Sequence, residues 1–315
     1  MIDLMMEQVY KVSLFDDLLE RKGAAFCLMV IIRVCWISGI IPIIVASIPL
    51  SKLSPVRNLL YAFALRGKTF QTSSNNTFTV PQSYFRYFYL WAIIWNSFLL
   101  ATTWIYASSF DTPAARKSLF LLLLMEFQAI RRLFETLFVF KYSPAARMHT
   151  FGYLTGLIFY TAAPLTLCWQ VAPMAVYYAF TTEFKALSLG NPAMTISMAM
   201  EWSKMIGMCV IIWGWIHQFR CHVILGGLRK KDGNVQYAIP YGDWFESVSS
   251  PHYLAEFVIY FGLVIGSGAT DATVWLLFAF VVANLAIAAH ETHLWYRSKF
   301  EDYPINRRAI IPFLF

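Results

Sequence analysis

Residues 241–268, "YGDWFESVSSPHYLAEFVIYFGLVIGSG", join a polar, turn-rich segment directly to a hydrophobic run. The polar part carries three acidic residues and one histidine within sixteen positions: Asp243, Glu246, His252 and Glu256. Ser249 or Ser250 ahead of Pro251 is typical of a helix start, with Ser as N-cap and Pro at the first position. We therefore predict a loop that leads into a helix whose N-terminus favours a phosphate group.

The composition of the chain is that of a membrane protein. Of its 315 residues, 58% are hydrophobic and 14% are charged, whereas soluble domains carry about 25% charged residues. Seven apolar runs approach or exceed the roughly 18 residues that span a bilayer, at about 24–48, 85–107, 118–140, 149–170, 196–217, 253–269 and 272–290. They predict an all-α, polytopic membrane protein with about seven transmembrane helices.

The Lys and Arg residues of the loops predict the orientation of these helices. With seven crossings, one side holds six of them and the other side fifteen. The positive-inside rule places the richer side in the cytosol, so we expect a lumenal N-terminus and a cytosolic C-terminus. The placement of cations relative to the membrane therefore accounts for the net charge of +7. No nucleic-acid partner is predicted. The sequon Asn75-Asn76-Thr77 falls in a predicted cytosolic loop, so we expect it to be unused.

Ionisable residues interrupt two of the apolar runs. Arg131 and Arg132 precede Glu135 by four and three positions, so both guanidinium groups can reach its carboxylate on a helix. Such groups at bilayer depth usually face a bundle interior or a wet cavity, and the sequence leaves open whether this set is structural or functional. Glu201 and Lys204 are three positions apart, and for this second pair we favour a structural role.

Neither a metal site nor a known nucleotide-binding motif is indicated. The five cysteines include no C-x-x-C pair, and His290-x-x-His293 lacks the i, i+4 spacing and third ligand usual for zinc on a helix. There is no G-x-G-x-x-G after a strand and no Walker A motif. A bound nucleotide would therefore be held by side chains at helix ends, with Arg at its phosphates.

Two C-terminal stretches carry a specific pattern, "GDWFESVSSPHYLAE" and, about forty residues later, "HLWYRSKFEDYPINRRAIIPFLF". The histidine, the aromatic-Tyr pair, F-x-x-Y-P-x-x-R and the closing I-P-F resemble the C-terminal region of the steroid 5α-reductase family. "RRLFETLFV" resembles a helix of its trans-2-enoyl reductase branch. "HQFRCHVILGGLRK" with "YGDWFESVSSP" is most similar to its polyprenol reductase (dolichol-forming) branch. The resemblance predicts a reductase domain over 81–315, after an N-terminal segment, 1–80, with the first transmembrane helix and a cytosolic loop.

The resemblance implies a seven-helix reductase of the endoplasmic reticulum membrane that uses NADPH. Arg229 and Arg307 would hold phosphates, and His252 stands where the family usually has Asn. His222 stands where steroid-reducing members carry Asp. The full predicted cofactor set is Arg229, Asp243, His252, Glu256, His293, Tyr296 and Arg307.

The implied reaction sets a requirement for the substrate. A hydride adds to an electron-poor carbon, so we expect the acceptor to be polyprenal, giving dolichal within the route from polyprenol to dolichol. The Glu–Tyr pair of the steroid enzymes does not carry over, and the predicted donors are Gln128, Tyr84 and Tyr87. The expected partners are a long-chain polyisoprenoid and the lipid bilayer.

Three alternatives remain open from the sequence. A very-long-chain trans-2-enoyl-CoA reductase or a steroid 3-oxo-4-ene reductase would share the fold and the cofactor. A non-catalytic seven-helix receptor or transporter would not need the Arg, His, Tyr and Glu residues clustered at the cytosolic end.

Overall fold

The structure is a computed structural model that describes residues 2–47, 78–142, 146–181, 201–228 and 237–312, with side chains from residue 22 onward. These residues are mostly helical, which confirms the predicted all-α fold. The helices are α1 (Ile2–Ser47), α2 (Phe85–Ser109), α3 (Pro113–Phe134), α4 (Thr150–Cys168), α5 (Ala172–Thr181), α6 (Trp202–Gly227), α7 (Pro251–Gly266) and α8 (Ala272–Lys299). A π-helical turn, Glu135–Val139, continues α3.

The described helices account for the seven predicted runs. Five segments are long and apolar enough to cross a membrane: Lys22–Ser47, Gln82–Ser109, Thr150–Cys168, Trp202–Gly227 and Ala272–Lys299. The other two predicted runs fall on α3, which contains charged residues, and on α7, an apolar helix of 16 residues. The protein is therefore a multi-pass membrane protein, and the number seven is approximate. Positions 196–200 of the predicted fifth run lie outside the described residues.

The starts of α7 and α8 follow from local sequence. The carboxylate of Asp271 accepts a hydrogen bond from the Thr273 amide at 2.9 Å and so caps α8. Helix α7 begins at Pro251, with Ser250 as its N-cap residue, as predicted. The Ser250 hydroxyl makes no capping hydrogen bond. The Ser250 amide instead donates to the Ala309 carbonyl at 3.2 Å, so the C-terminal segment fixes this residue and its hydroxyl is left for another partner.

A two-stranded antiparallel sheet joins the starts of α2 and α4. Strand β1 (Thr79–Pro81) pairs with strand β2 (Arg147–His149), with Val80 opposite Met148. The Arg147 Nε donates to the Thr79 hydroxyl at 2.6 Å. The N-termini of these two helices therefore lie at the same end of the bundle.

Helix α1 belongs to the same hydrophobic core as the later helices. The Trp36 side chain is 2% exposed, and its indole N–H donates to the Thr166 hydroxyl of α4 at 3.0 Å. Arg33 on the same helix donates from Nε to the Thr273 hydroxyl at 3.0 Å, which gives this membrane-depth cation a polar partner. The boundary predicted at residue 80 stays a prediction.

Helices α6 and α7 approach each other through glycines. A Cβ atom on Gly207 would lie 2.6 Å from the Gly266 nitrogen and 2.7 Å from the Gly262 carbonyl oxygen. Further along, a Cβ on Gly214 would lie 2.7 Å from the Ile259 side chain. Small residues allow such close contact between membrane helices. This contact fixes which side chains of the two helices face each other beyond Gly214.

We expect Gly207→Ala to lower the free energy of unfolding by about 1–3 kcal/mol, the usual cost of overpacking. The reason is that its Cβ would meet backbone atoms of α7, which cannot rotate away. The matched control is Gly227→Ala, because a Cβ there meets nothing within 4 Å, and its effect should stay within about 1 kcal/mol. Thermal unfolding in detergent measures both, and equal stabilities would contradict the close packing of α6 on α7.

Candidate functional site

A buried polar cluster links α3, α6 and α7 inside the apolar bundle. It consists of Gln128, Arg131, Arg132, Glu135, Gln218, His222 and Glu256. Arg131 and Arg132 both form ion pairs with Glu135, as the sequence spacing predicts, and the Glu135 side chain is 0% exposed. Glu135 opens the π-helical turn, a feature found frequently at functional sites.

The cluster is electrically balanced and its members are partnered from several helices. The ring of His222 on α6 lies between Glu135 and Arg132, with Nδ1 at 2.8 Å from Oε2 of Glu135 and 2.7 Å from Nη1 of Arg132. Arg132 donates from Nη2 to the Tyr89 hydroxyl of α2 at 2.8 Å. Two guanidinium groups thus face two carboxylates, those of Glu135 and Glu256. Buried charges persist in this way when they are paired and hydrogen-bonded.

Glu256 is held by two glutamine side chains. Gln128 donates from Nε2 to Oε1 of Glu256 at 3.4 Å, and Gln218 donates from Nε2 to Oε2. Both glutamines accept from Nη2 of Arg131 through their own side-chain oxygens. The structure therefore brings the predicted residues Gln128 and Glu256 together and connects both to Arg131.

A second group of residues, the C-terminal cluster, contains Ser249, His293, Tyr296, Tyr303 and Arg307. The Ser249 amide donates to the Arg308 carbonyl at 2.8 Å, and Val248 forms a parallel bridge with Arg308. The Ser249 hydroxyl lies 2.6 Å from Nδ1 of His293 and 2.6 Å from the Tyr303 hydroxyl. The ring of Tyr296 stacks on that of Tyr303 at 5.3 Å. The end of the chain is thereby attached to α8 and to the start of α7.

Arg307 is a buried cation with unused donors. Its side chain is 2% exposed, its Nη1 donates to the Pro240 carbonyl at 2.9 Å, and its guanidinium lies over the Tyr241 ring at 4.6 Å. Its Nε and Nη2 have no hydrogen-bond partner among the described residues, and neither does the buried Ser250 hydroxyl. A buried group of this kind requires a counterpart, and a phosphate matches a guanidinium edge. The residues present therefore fit a phosphorylated cofactor.

Asp243, a predicted cofactor ligand, is attached to α6. Its carboxylate accepts from Nδ1 of His217 at 2.7 Å and lies 3.0 Å from Nε of Arg220. The backbone of Asp243 has φ of 49°, directly after Gly242 with φ of 92°, so the chain turns sharply here. These contacts anchor the 241–256 segment, and a role of Asp243 in cofactor binding stays a prediction.

The remaining predicted cofactor residues lie in different parts of the structure. The carbonyl of His252 accepts from Nε2 of Gln218 at 3.2 Å, and its ring centroid lies 5.7 Å from that of His222, so His252 borders the polar cluster. Arg229 lies outside the described residues. His293, Tyr296 and Arg307 meet in the C-terminal cluster. Within the described ranges, no group of three or more His, Cys, Asp or Glu residues could hold a metal ion.

Two of the three predicted proton or hydrogen-bond donors are not brought to the polar cluster. Tyr84 and Tyr87 pack edge to face at 5.1 Å, and Tyr84 also contacts Tyr153. The Tyr87 hydroxyl accepts from the exposed Arg86 at 3.0 Å. Gln128 is the member of the predicted set that lies within the cluster.

Sequence reasoning missed Gln218, Tyr89 and Ser249. Gln218 could have been recognised from the sequence, because it is a polar residue in an apolar run and precedes His222 by one helical turn. Tyr89 and Ser249 could not have been recognised, since one is an aromatic residue among many and the other a serine in a loop. Their partners come from distant parts of the chain.

Comparison with known proteins is consistent with this geometry. Residues 163–315 match the family described as 3-oxo-5-alpha-steroid 4-dehydrogenase. The chain is 45% identical to polyprenal reductase 2 and 46% identical to polyprenal reductase 1 of Arabidopsis thaliana, in each case over 89% of this chain and 95% of the relative. It is 36% identical to the polyprenal reductase of Homo sapiens over 79% of this chain and 82% of that protein. The chain therefore belongs to the steroid 5α-reductase family of membrane oxidoreductases, in the branch that contains the polyprenal reductases.

Proposed function

We propose that the protein reduces the α-isoprene double bond of polyprenal with NADPH and forms dolichal, in the route from polyprenol to dolichol that supplies protein N-glycosylation. The observation that carries the proposal is the charge-balanced polar cluster buried within an apolar bundle. A long isoprenoid chain can lie among the apolar helices while its polar aldehyde end reaches this cluster. The names of the relatives support the same substrate.

The chemistry favours an aldehyde over an alcohol. The double bond of an allylic alcohol is electron-rich, whereas conjugation to a carbonyl lets negative charge move onto oxygen. NADPH, when bound, supplies a hydride for C3 of the substrate. The protein must then polarise the carbonyl and provide a proton at C2, so that the carbon–carbon double bond is lost and the aldehyde is kept.

The cofactor would be held by this chain's own side chains at one end of the bundle. Arg307 would bind a phosphate through its free donors, and Ser250 lies beside Ala309, two positions further along the C-terminal segment. Glu256 would accept from the carboxamide of the nicotinamide. His252, His293, Tyr296, Asp243 and Arg229 complete the proposed set.

Tyr89 is the residue of the site best suited to polarise the carbonyl. Its hydroxyl oxygen accepts from Nη2 of Arg132, and the guanidinium also lies over its ring at 5.2 Å. Because its oxygen already accepts from Arg132, the phenol can present its O–H to a substrate oxygen. The phenol is 6% exposed, and a hydrogen bond in such a water-poor site is strengthened. Gln128, Tyr84 and Tyr87 remain the other candidates.

The direct test is product identification. The purified protein would be incubated without oxygen with NADPH and, separately, with polyprenal, polyprenol and a long-chain 2-enoyl-CoA. We expect dolichal from polyprenal, and no turnover of the other two. Reduction of the enoyl-CoA alone would favour the enoyl-thioester reductase, and absence of both NADPH binding and turnover would favour a non-enzymatic protein.

We further propose that the protein resides in the endoplasmic reticulum membrane with its C-terminus in the cytosol, since the predicted topology assigns fifteen of the loop cations to that side. A C-terminal tag in sealed microsomes should be digested by added protease. Protection of the tag until detergent is added would contradict this orientation.

We expect Arg307→Ala to weaken NADPH binding about ten- to a hundredfold, because a charge-assisted contact is worth about 1.5–3 kcal/mol. The affinity of NADPH is measured by titration of the purified protein. Arg116→Ala is the matched control, since Arg116 pairs with the exposed Asp111 at 2.6 Å. Unchanged affinity in a folded Arg307→Ala protein would show that Arg307 binds no phosphate.

Tyr89→Phe should lower kcat for polyprenal about a hundred- to a thousandfold, the usual effect of removing one donor to a developing oxyanion. Tyr106→Phe serves as the control, because Tyr106 packs on Phe110 and Tyr178. The same substitution at Tyr84 and at Tyr87 ranks the other candidates. A larger loss at either of these positions than at Tyr89 would reassign the donor.

A further inference from the structure

Gln128 and Gln218 make the same pair of contacts from two different helices. Each side-chain oxygen accepts from Nη2 of Arg131, and each side-chain nitrogen donates to Glu256. Guanidinium groups only donate and ionised carboxylates only accept, so the orientation of both amides is fixed by their partners. The two glutamines thus connect one cation to one carboxylate by two parallel bridges.

We propose that Gln128 and Gln218 are positioning residues that fix the Glu256 carboxylate in the plane required to receive the nicotinamide carboxamide. The inference rests on the proposed function for the role of Glu256. It assigns the Gln128 amide to this bridge and leaves the polarisation of the substrate carbonyl to Tyr89.

The arrangement controls both position and rotation of the carboxylate. Gln128 holds Oε1 and Gln218 holds Oε2, so neither oxygen can turn away while both amides stay in place. Gln218 has an additional fixed partner, because it also donates to the His252 carbonyl at 3.2 Å. Gln128 is 6% exposed and Gln218 is 2% exposed, which keeps water from replacing either bridge.

The two bridges should act as one unit. Removal of either glutamine frees one carboxylate oxygen, and the group can then rotate about its last bond. Once the carboxylate of Glu256 can rotate, loss of the second glutamine has little further effect on its orientation. The effects of the two substitutions should therefore combine less than multiplicatively, which is the mark of residues that share partners.

The kinetic test compares Gln128→Met, Gln218→Met and the double variant, since Met keeps the length of the side chain without its amide. We expect each single variant to lower kcat about tenfold through misplacement of the reacting groups, with the KM for polyprenal within about twofold of wild type. The double variant should be no more than about threefold slower than the slower single variant. Gln82→Met, outside the cluster, is the control and should leave kcat unchanged.

A second readout needs neither substrate nor cofactor. In the cofactor-free protein, the fall in unfolding temperature caused by the double variant should be smaller than the sum of the two single effects. If wild-type protein reduces polyprenal but the substitutions multiply in kcat and add in unfolding temperature, the bridge is wrong and the proposed function stands. If wild-type protein does not reduce polyprenal while the unfolding temperatures still show the coupling, the bridge stands and the proposed function fails.

Discussion

The buried ion pairs of Glu135 with Arg131 and Arg132 are the interaction on which the site depends. In an apolar bundle, an isolated charge of either sign would lower the free energy of unfolding by about 3–5 kcal/mol. The pairs form within a single stretch of helix, and the carboxylate of Glu256 on α7 balances the second guanidinium group. The guanidinium groups keep further donors, and these organise Tyr89, Gln128 and Gln218 from three helices around them.

Placement of this charged centre at one end of the bundle links it to the cofactor residues. The close glycine contact between α6 and α7 sets their register, and that register brings Gln218 opposite His252 and Glu256. At the same end, the backbone of Ser249 and Ser250 pairs with the C-terminal segment that carries Arg307. The packing of α6 on α7 and a short backbone pairing thus set the distance between Arg307 and Glu256, the proposed partners of a phosphate and of the nicotinamide of one cofactor.

The sequence predicted the helical membrane fold and the pairing around Glu135, because both depend on local patterns. Apolar runs identify helices, and i, i+3 and i, i+4 spacing identifies partners on one helix. It did not predict the roles of Gln218, Tyr89 or Ser249, whose partners lie far away in the chain. The predicted start of α7, with a serine at the N-cap and Pro251 at the first position, is confirmed. The backbone pairing of Ser250 with Ala309 was not predicted, because the two residues lie far apart in the chain.

In the proposed reaction, this membrane site transfers hydride to the β-carbon of a conjugated isoprenoid aldehyde. The most direct measurement is the position of label in the product after reaction of polyprenal with NADPH carrying deuterium at both C4 positions of the nicotinamide ring. We expect deuterium on C3 of dolichal, and, with unlabelled cofactor in heavy water, deuterium on C2. Deuterium on C1, which would mean reduction of the carbonyl group itself, or an unlabelled product, would contradict it.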